Sequence, residues 1–350
     1  MLNEVLKADI HNTLSDDNIP WYDLKDSNVL VTGATGLIGG ALIRTLSTAN
    51  KKYNLGVRVL AVGRNEEKAK SLIENYGVWF HKHDIRHGFN IEKDRIDYIF
   101  HCAAITKSSD MLSKPLSVIT TEVDGTRNTL ELACEKQCKG FVYLSSMEVY
   151  GRSELKEVSE NDLGQLDLTN PRSSYPESKR FCEMLCSAYY KEYSLPVKIA
   201  RLARTFGAGT PNDENDMRVA NQFARKAIAS EDIELHTYGN SVANCCYTAD
   251  AISGLLTVLF KGENGQTYNV ANPKASSTVK EMAEIVAVEV CGGKIKVVMN
   301  VPEDVLKRGY APDVGYTLNA DKLAALGWKP KYGLSDMFKR MIADWQGSNI

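Results

Sequence analysis

Two residues that could share a proton transfer stand four positions apart in this chain. Tyr175 and Lys179 lie in the segment Ser-Ser-Tyr-Pro-Glu-Ser-Lys-Arg. On a helix this spacing puts both side chains on one face, so the ammonium can lower the phenol pKa and also reach a ribose hydroxyl. Such a tyrosine can act as an acid or a base near neutral pH. Because the spacing is common by chance, an ordinary surface pair is the alternative.

A glycine-rich segment far upstream gives the pair a context. A strand-like run at 28–32 leads into Thr-Gly-Ala-Thr-Gly-Leu-Ile-Gly, and a helical run follows. Glycines at such a turn let backbone N–H groups and the positive helix end approach a pyrophosphate. Together with Tyr175 and Lys179, this loop indicates a dinucleotide cofactor and hydride chemistry. The residues that we expect to line the cofactor here are Gly33, Thr35, Gly36, Leu37, Ile38 and Gly39.

The end of the second predicted strand bears on which dinucleotide is bound. NAD-preferring sheets usually place an acid there for the ribose 2′-hydroxyl, but this chain reads Val62-Gly63-Arg64-Asn65. Arg64 could meet a 2′-phosphate, which favours NADP(H) over NAD(H). The alternative is a solvated Arg64 beside bound NAD. Asp84, at the end of the third strand, is expected to accept a hydrogen bond from the adenine amine.

Composition limits the other classes of function. The chain has 350 residues, 43% of them hydrophobic, enough for one large core or a core with a smaller lobe. With 42 basic and 44 acidic residues the net charge is −2, and no Lys/Arg run suggests nucleic acid or an anionic membrane. No segment approaches about 18 uninterrupted apolar residues. We expect a cytoplasmic protein with a small ligand and no nucleic-acid or membrane partner.

The eight cysteines lie mostly in predicted helices and strands, which is not the pattern of a secreted disulfide framework. Reduced cytoplasmic thiols fit better. His81, His83 and His87 are close in sequence, but no CxxC or HExxH pattern accompanies them. We therefore predict no metal site.

Strand-like and helical runs alternate over the first two thirds of the chain. Strands are predicted at 28–32, 57–62, 78–81, 97–101, 141–145 and 197–202, and helices near 37–49, 66–75, 115–137 and 174–193. This alternation predicts an α/β fold with a Rossmann-type doubly wound parallel sheet. Further on, helices at 218–230, 248–260, 278–291 and 319–325 are separated by connections around 207–216, 262–278 and 309–315. The looser pattern indicates a smaller C-terminal α/β lobe.

We accordingly divide the chain into three parts. Residues 1–26 are an accessory segment, either a lid or a brace. Residues 27–203 form the dinucleotide-binding domain with the candidate catalytic residues. Residues 204–350 are mainly a substrate-binding lobe with excursions back to the sheet.

Five further segments occur in a family-specific order. After the fifth strand the chain reads Ser-Ser-Met-Glu-Val-Tyr-Gly at 145–151, and later segments match the patterns RxxNxYG at 201–207, YVxD at 247–250, GExYNV at 265–270 and LGWxP at 326–330. With the glycine loop and the Tyr175/Lys179 pair, the chain resembles the extended short-chain dehydrogenase/reductases. More narrowly, it resembles the nucleotide-sugar epimerase/dehydratase family over nearly all of residues 28–345.

The resemblance implies a nucleoside-diphosphate sugar in the cleft, with its sugar near the nicotinamide. Tyr175 would exchange the hydroxyl proton, Lys179 would tune it and Ser146 would share the hydrogen bond. Further cofactor contacts are implied for Ile85, Ala103 and Ala104. A homodimer is also implied, through the helices near 115–137 and 174–193. The second of these carries an apolar stripe of Phe181, Met184, Leu185 and Tyr189.

The chain departs from the family pattern at Met147 and Glu148. In similar 4,6-dehydratases the residues here are Asp or Ser and then Glu. A thioether cannot protonate a leaving hydroxyl, so dehydration would need another acid or a water. Glu148 remains available as a base, which suits decarboxylases and some epimerases or dehydratases. The alternative is that Glu148 only accepts a hydrogen bond behind the reacting groups.

A second departure concerns substrate binding. Arg204 replaces the family's substrate Asn, and Ala243 stands where an Arg is usual. We hypothesise that Arg204, with Lys107, Arg218 or both, binds a diphosphate or sugar phosphate. The alternative is a structural ion pair. Ser146, Met147 and Asn244 complete the expected substrate contacts.

Three functions follow from these residues. The first is redox-neutral conversion of a nucleotide sugar by an epimerase, dehydratase or decarboxylase, for surface polysaccharide precursors. The second is an NADPH-dependent reductase of a nucleotide-linked keto-sugar or ketose, for example one that gives a CDP-linked polyol. The third, a non-catalytic cofactor-binding protein, is disfavoured by the intact Ser146, Tyr175 and Lys179.

Overall fold

Strands and helices alternate in the computed structural model, which describes residues 3–91, 95–303 and 314–347. The strands are β1 (Asn28–Thr32), β2 (Arg58–Gly63), β3 (Trp79–Lys82), β4 (Tyr98–His101), β5 (Gly140–Ser146), β6 (Glu157–Val158), β7 (Val197–Leu202), β8 (Arg204–Phe206), β9 (Ile233–Leu235), β10 (Val242–Ala243), β11 (Cys245–Tyr247), β12 (Thr267–Val270), β13 (Ser277–Thr278), β14 (Val297–Met299) and β15 (Thr317–Leu318). The helices are α1 (Glu4–Leu14), α2 (Leu37–Tyr53), α3 (Glu66–Tyr76), α4 (Ser108–Ser113), α5 (Pro115–Glu135), α6 (Ser174–Tyr193), α7 (Val219–Ala229), α8 (Thr248–Lys261), α9 (Val279–Ile285), α10 (Asp321–Ala324) and α11 (Leu334–Gln346).

Seven parallel strands form the central sheet, in the order β12-β7-β5-β4-β1-β2-β3. β1 is buried at every position, as expected for a parallel strand covered on both faces. Its neighbours are β2 on one side and β4 on the other, so the strand order reverses at β1. Ligands of open α/β sheets bind at the carboxyl ends of the strands beside such a reversal. The predicted Rossmann-type fold is confirmed.

Helices cover both faces of the sheet. Val29 and Val31 of β1 face one core together with Leu42 of α2 and Leu255 of α8. Leu30 faces the opposite core with residues of α5 and α6, which pack against each other. This alternation follows from the two-residue period of a strand. None of the described helices is long and apolar enough to cross a membrane.

The chain beyond β7 builds a second core from short strand pairs and helices. β8 pairs with β11, β9 with β14, and β10 with β13, while α7, α9 and α11 contribute apolar side chains. β12 and α8 return to the central sheet. α11 was not predicted from the sequence, although its buried residues recur at helical spacing. Residues 309–313 of the predicted 309–315 connection lie outside the described residues.

The N-terminal helix α1 joins the two cores. Val5 is buried in the second core, whereas Ile10 and Leu14 are buried in the core on the α2 side of the sheet. α1 contacts α2, α8 and α11. These contacts pack α1 against both cores, and the role of the N-terminal segment as a lid or a brace stays a prediction.

A buried polar cluster reinforces these contacts of α1. The Tyr247 hydroxyl donates to Asp9 Oδ2 at 2.5 Å, and Arg340 Nε donates to Asp9 Oδ1 at 3.0 Å. Burial raises the pKa of Asp9, while Tyr247 and Arg340 oppose this rise. The carboxylate thus ties α1 to β11 and α11.

We expect Arg340→Met to destabilise the fold by roughly 3 kcal/mol, because it leaves the buried Asp9 without its cation. The measurement is urea unfolding near neutral pH. Arg127→Met is the control, since the ion pairs of Arg127 with Asp124 and Glu131 on α5 are exposed, and the substitution should change the free energy of unfolding by less than about 1 kcal/mol. Equal effects of the two substitutions would contradict a bracing role.

Candidate active site

The glycine loop makes a tight turn between β1 and α2. Gly33 has a φ of +66°, and a Cβ there would lie 2.8 Å from the Ala103 backbone. A Cβ on Gly39 would lie 2.4 Å from the Gly33 carbonyl oxygen. Gly36 donates its N–H to the same carbonyl at 2.9 Å. Side chains at Gly33 or Gly39 would collide with this backbone, so the glycines permit a tight turn in front of the α2 N-terminus. A turn of this kind fits a dinucleotide pyrophosphate.

Thr32, the last residue of β1, holds the neighbouring loop against this turn. Its Oγ1 accepts the N–H groups of Cys102 at 3.1 Å and Ala103 at 3.2 Å, and lies 2.9 Å from His101 Nδ1. His101 Nε2 lies 3.3 Å from Thr126 Oγ1. Burial, with the charge of Lys179 nearby, lowers the pKa of His101 to about 3, so the imidazole is neutral. This cluster of Thr32, His101 and Thr126 was not predicted from the sequence.

The structure brings Ser146, Tyr175 and Lys179 together at the carboxyl end of β5. Lys179 Nζ donates to the Leu144 carbonyl at 2.7 Å and lies 5.7 Å from the centre of the Tyr175 ring. Burial raises the pKa of Tyr175 to about 12, although Lys179 and a hydrogen bond with Ser146 oppose the rise. Lys179 thus lowers the phenol pKa as expected, but in the protein alone desolvation outweighs the ammonium, and the acid/base role of Tyr175 stays a prediction.

A carboxylate that the sequence analysis missed lies behind the lysine. Glu122 Oε2 is 2.9 Å from Lys179 Nζ, and both side chains are buried. This carboxylate raises the pKa of Lys179 despite the opposing effect of burial. The sequence offered one signal for this buried carboxylate. Glu122 lies on the same face of α5 as Val118 and Gly125, which are apolar or small.

Glu148 also has an unforeseen partner. Arg172, in the short 3₁₀ helix before α6, donates to both oxygens of Glu148, at 2.8 and 3.0 Å. The two side chains are about one third exposed, 31% and 32%. The charge of Glu148 is felt by Tyr175, whose pKa it helps to raise. Arg172 thus orients the Glu148 carboxylate near Tyr175.

Met147 and Asn244 are buried. Met147 is 5% exposed, and Asn244 has no exposed surface. The Asn244 amide donates to the Tyr316 carbonyl at 3.0 Å and accepts the Leu318 N–H at 2.8 Å. These contacts occupy the amide within the protein, and the substrate contact expected of Asn244 stays a prediction.

The three candidate phosphate-binding cations are exposed but differ in their partners. Lys107 lies 3.7 Å from Asp213, and Arg218 forms an ion pair with Asp216. Arg204, by contrast, has no carboxylate within 4 Å among residues 3–91, 95–303 and 314–347. Of these three cationic side chains, Arg204 is the most available to an anion.

The expected adenosine-binding residues lie at the ends of β2 and β3. Arg86 binds both oxygens of Asp84 and, with a smaller effect of Arg64, lowers the pKa of Asp84 to about 2. Arg64 is exposed and follows β2 directly. Ile85 is buried against Gly125, and Ala104, like Ala103, is partly buried. Their contacts with a cofactor stay predictions.

A glycine turn at a strand reversal, with a Ser/Tyr/Lys group beside it, is the arrangement expected of nicotinamide-dependent oxidoreductases. The sequence matches the NAD dependent epimerase/dehydratase family over residues 29–271. The chain belongs to this family, and the predicted family is confirmed. It is therefore an NAD(P)-dependent enzyme.

Individual relatives cover nearly the whole chain. UDP-glucuronic acid decarboxylase 3 of Arabidopsis thaliana is 29% identical over 91% of this chain and 89% of its own length. The solved UDP-glucose 4-epimerase of Thermotoga maritima, crystallised with UDP-glucose, superposes with a TM-score of 0.75 at 22% identity and covers 91% of this chain and 98% of the epimerase. The dTDP-glucose 4,6-dehydratase of Bacillus anthracis, solved with NAD, gives a TM-score of 0.72 at 23% identity over 91% and 96% of the two chains. The two solved structures corroborate the fold.

We expect Gly39→Ala to weaken dinucleotide binding by about tenfold or more, because the added methyl group would force the α2 N-terminus away from Gly33. Titration calorimetry with NAD⁺ and NADP⁺ measures the effect. Gly40→Ala is the matched control, since its Cβ would meet the flexible end of Arg44 at 3.2 Å and the Ala34 carbonyl oxygen at an ordinary contact distance of 3.5 Å. Equal affinities for all three proteins would rule out the proposed role of the glycine turn.

Proposed function

We propose that this enzyme carries out a redox-neutral conversion of a nucleoside-diphosphate sugar, with Tyr175 as the acid/base. The observation that carries this proposal is the grouping of Ser146, Tyr175 and Lys179 with Glu148, which is ion-paired to Arg172, at one end of the sheet. A reductase needs only the first three residues, whereas a base beside them serves chemistry on the sugar carbon after oxidation. The decarboxylase, epimerase and dehydratase named among the relatives support the substrate class.

Each residue has a distinct task in this proposal. A bound dinucleotide supplies hydride acceptance and return. Tyr175 exchanges a proton with a sugar hydroxyl, and Ser146 holds that hydroxyl in line. Lys179 stabilises the phenolate form when Tyr175 gives up its proton. Glu148 takes a proton from a carbon beside the new ketone, or orients a carboxylate there together with Arg172.

Met147 bears on the type of conversion. Its thioether is buried where similar dehydratases carry an Asp or Ser, and it has no proton to give to a leaving hydroxyl. We therefore favour epimerisation or decarboxylation over dehydration.

For the cofactor we propose NADP(H). Gly63 offers no carboxylate to a ribose 2′-hydroxyl, and Arg64 beside it is exposed and able to bind a 2′-phosphate. Asp84 is already paired with Arg86. These features support NADP(H), although NAD is the cofactor printed for the solved dehydratase relative.

We also propose a homodimer formed through α5 and α6. Leu116 is 75% exposed on α5, and Phe181 and Met184 are 42% and 57% exposed on α6. Leu185 and Tyr189, the rest of the predicted stripe, pack against the α5–α6 side of the core instead. Phe181 and Met184 thus remain available to a second copy.

A net reductase of a nucleotide-linked keto-sugar is the second candidate. The raised pKa of Tyr175 favours it, because a protonated phenol can donate directly to a carbonyl oxygen. This candidate differs from the first in consuming the reduced cofactor.

The test begins with the cofactor content of the purified protein, followed by turnover of UDP-, dTDP-, GDP- and CDP-linked sugars and ketoses in D₂O. We expect product without net cofactor consumption and with solvent deuterium on one carbon.

Tyr175→Phe should lower kcat by about 10²-fold or more. Glu148→Gln should abolish deuterium incorporation, whereas Glu74→Gln, an exposed change on α3, should not. NADPH oxidised in proportion to product would establish the reductase instead.

We expect Arg204→Met to raise the KM for the nucleotide sugar about tenfold with little change in kcat, because a guanidinium contact to phosphate is lost. Competitive inhibition by the nucleoside diphosphate alone is measured in parallel and should weaken by the same factor. Arg127→Met serves as the control. An unchanged inhibition constant in Arg204→Met would show that Arg204 does not bind the diphosphate.

A further inference from the structure

The ion pair between Lys179 and Glu122 is enclosed by the protein. The Nζ–Oε2 distance is 2.9 Å, and the side chains are 2% and 0% exposed. α5 brings Glu122 to this point and α6 brings Lys179, and the two helices pack against each other. Within the described ranges, Lys179 is the one cation within 4 Å of Glu122.

A second buried carboxylate shows a different arrangement. Glu183 binds Arg201 through both oxygens, at 2.9 and 2.6 Å, and accepts the Ser145 hydroxyl at 2.5 Å. Arg201 continues this network to the Tyr150 hydroxyl at 3.1 Å. That pair ties strands and helices together through several hydrogen bonds. Glu122, in contrast, faces the ammonium that stands beside the reacting phenol.

The electrostatic consequence follows from the two charges. An ammonium near a phenol favours the phenolate, and a carboxylate in contact with that ammonium offsets part of the effect. Lys179 accordingly lowers the pKa of Tyr175, while Glu122 raises it. Little water can screen this opposition, because Tyr175, Lys179 and Glu122 are all buried.

We propose that Glu122 is a positioning residue that holds Lys179 against the Leu144 carbonyl and offsets part of its charge, which adds to burial in keeping Tyr175 protonated at rest. This assignment rests on the acid/base role of Tyr175 in the proposed function. With Tyr175 protonated, the resting enzyme is a proton donor. A reaction that begins from a sugar hydroxyl must first remove the Tyr175 proton, and the negative charge of Glu122 opposes that removal.

Other groups near the pair must be considered in any titration. Glu148 raises the pKa of Tyr175, and the Ser146 hydrogen bond lowers it. The remaining ionisable groups that face Lys179 or Tyr175 from the packed elements are His101 and Cys102 at the end of β4, Tyr143 on β5, Arg172 before α6, and Cys182 and Cys186 on α6. The thiols of Cys102 and Cys182 and the phenol of Tyr143 have raised pKa values because they are buried, and His101 is neutral. Glu122 is thus the carboxylate in direct contact with Lys179.

The test is an NMR titration of ¹³Cζ-labelled tyrosine in the full-length enzyme, saturated with the oxidised dinucleotide that it binds more tightly. The Tyr175→Phe spectrum assigns the resonance. We expect Glu122→Gln and Glu122→Asn to lower the pKa of Tyr175 by about 1 unit or more, since the ammonium is then unopposed. Glu122→Asp keeps the charge and is the control, with a pKa close to that of the unsubstituted enzyme.

Each outcome decides the proposal. A lowered pKa in the neutral variants, with Glu122→Asp unchanged, supports it. An unchanged or higher pKa in a folded neutral variant overturns it, as does the failure of both neutral variants to fold, which would make the pair purely structural. No sugar substrate enters the titration, so an error in the proposed reaction leaves the result readable. Conversely, turnover measurements judge the proposed reaction without reference to Glu122.

Discussion

The active-site end of the molecule depends on keeping a buried lysine charged. An isolated ammonium in the interior would lose its proton or disrupt the packing around it. Lys179 avoids this because its ammonium donates a hydrogen bond to the Leu144 carbonyl and Glu122 supplies an opposite charge. These contacts come from β5 and α5, so the position of the lysine is determined by the α5–α6 layer and by the strand beneath it. Tyr175, one helical turn earlier, is positioned by the same packing.

Hydrogen-bonded polar side chains connect the glycine turn with the helix that carries the carboxylate partner of Lys179. Thr32 holds the loop after β4 by two backbone hydrogen bonds, and His101 connects Thr32 with Thr126 on α5. Thr126 stands one turn after Glu122 on the same helix. The glycine turn and the candidate catalytic residues are therefore parts of one packed unit, whose charges act on one another at short range.

Much of this unit could be predicted from the chain. The strand and helix order, the glycine turn and the Tyr175/Lys179 spacing depend on patterns within a few residues, and the observed ends of these elements lie close to the predicted ones. The pKa of Tyr175 could not be predicted in the same way. Its direction depends on how far burial outweighs the ammonium, and burial is a property of the packed α5–α6 layer.

The sequence by itself determined the fold class, the family and the residues able to do chemistry, because turn geometry and hydrophobic period are local properties. Only the tertiary structure decided that Glu122 meets Lys179, that Arg172 binds Glu148 and that α1 joins two cores through Asp9. Each of these contacts joins segments far apart in the chain. A pairing of that kind leaves no pattern in a single sequence, since the distance between the partners is set by packing.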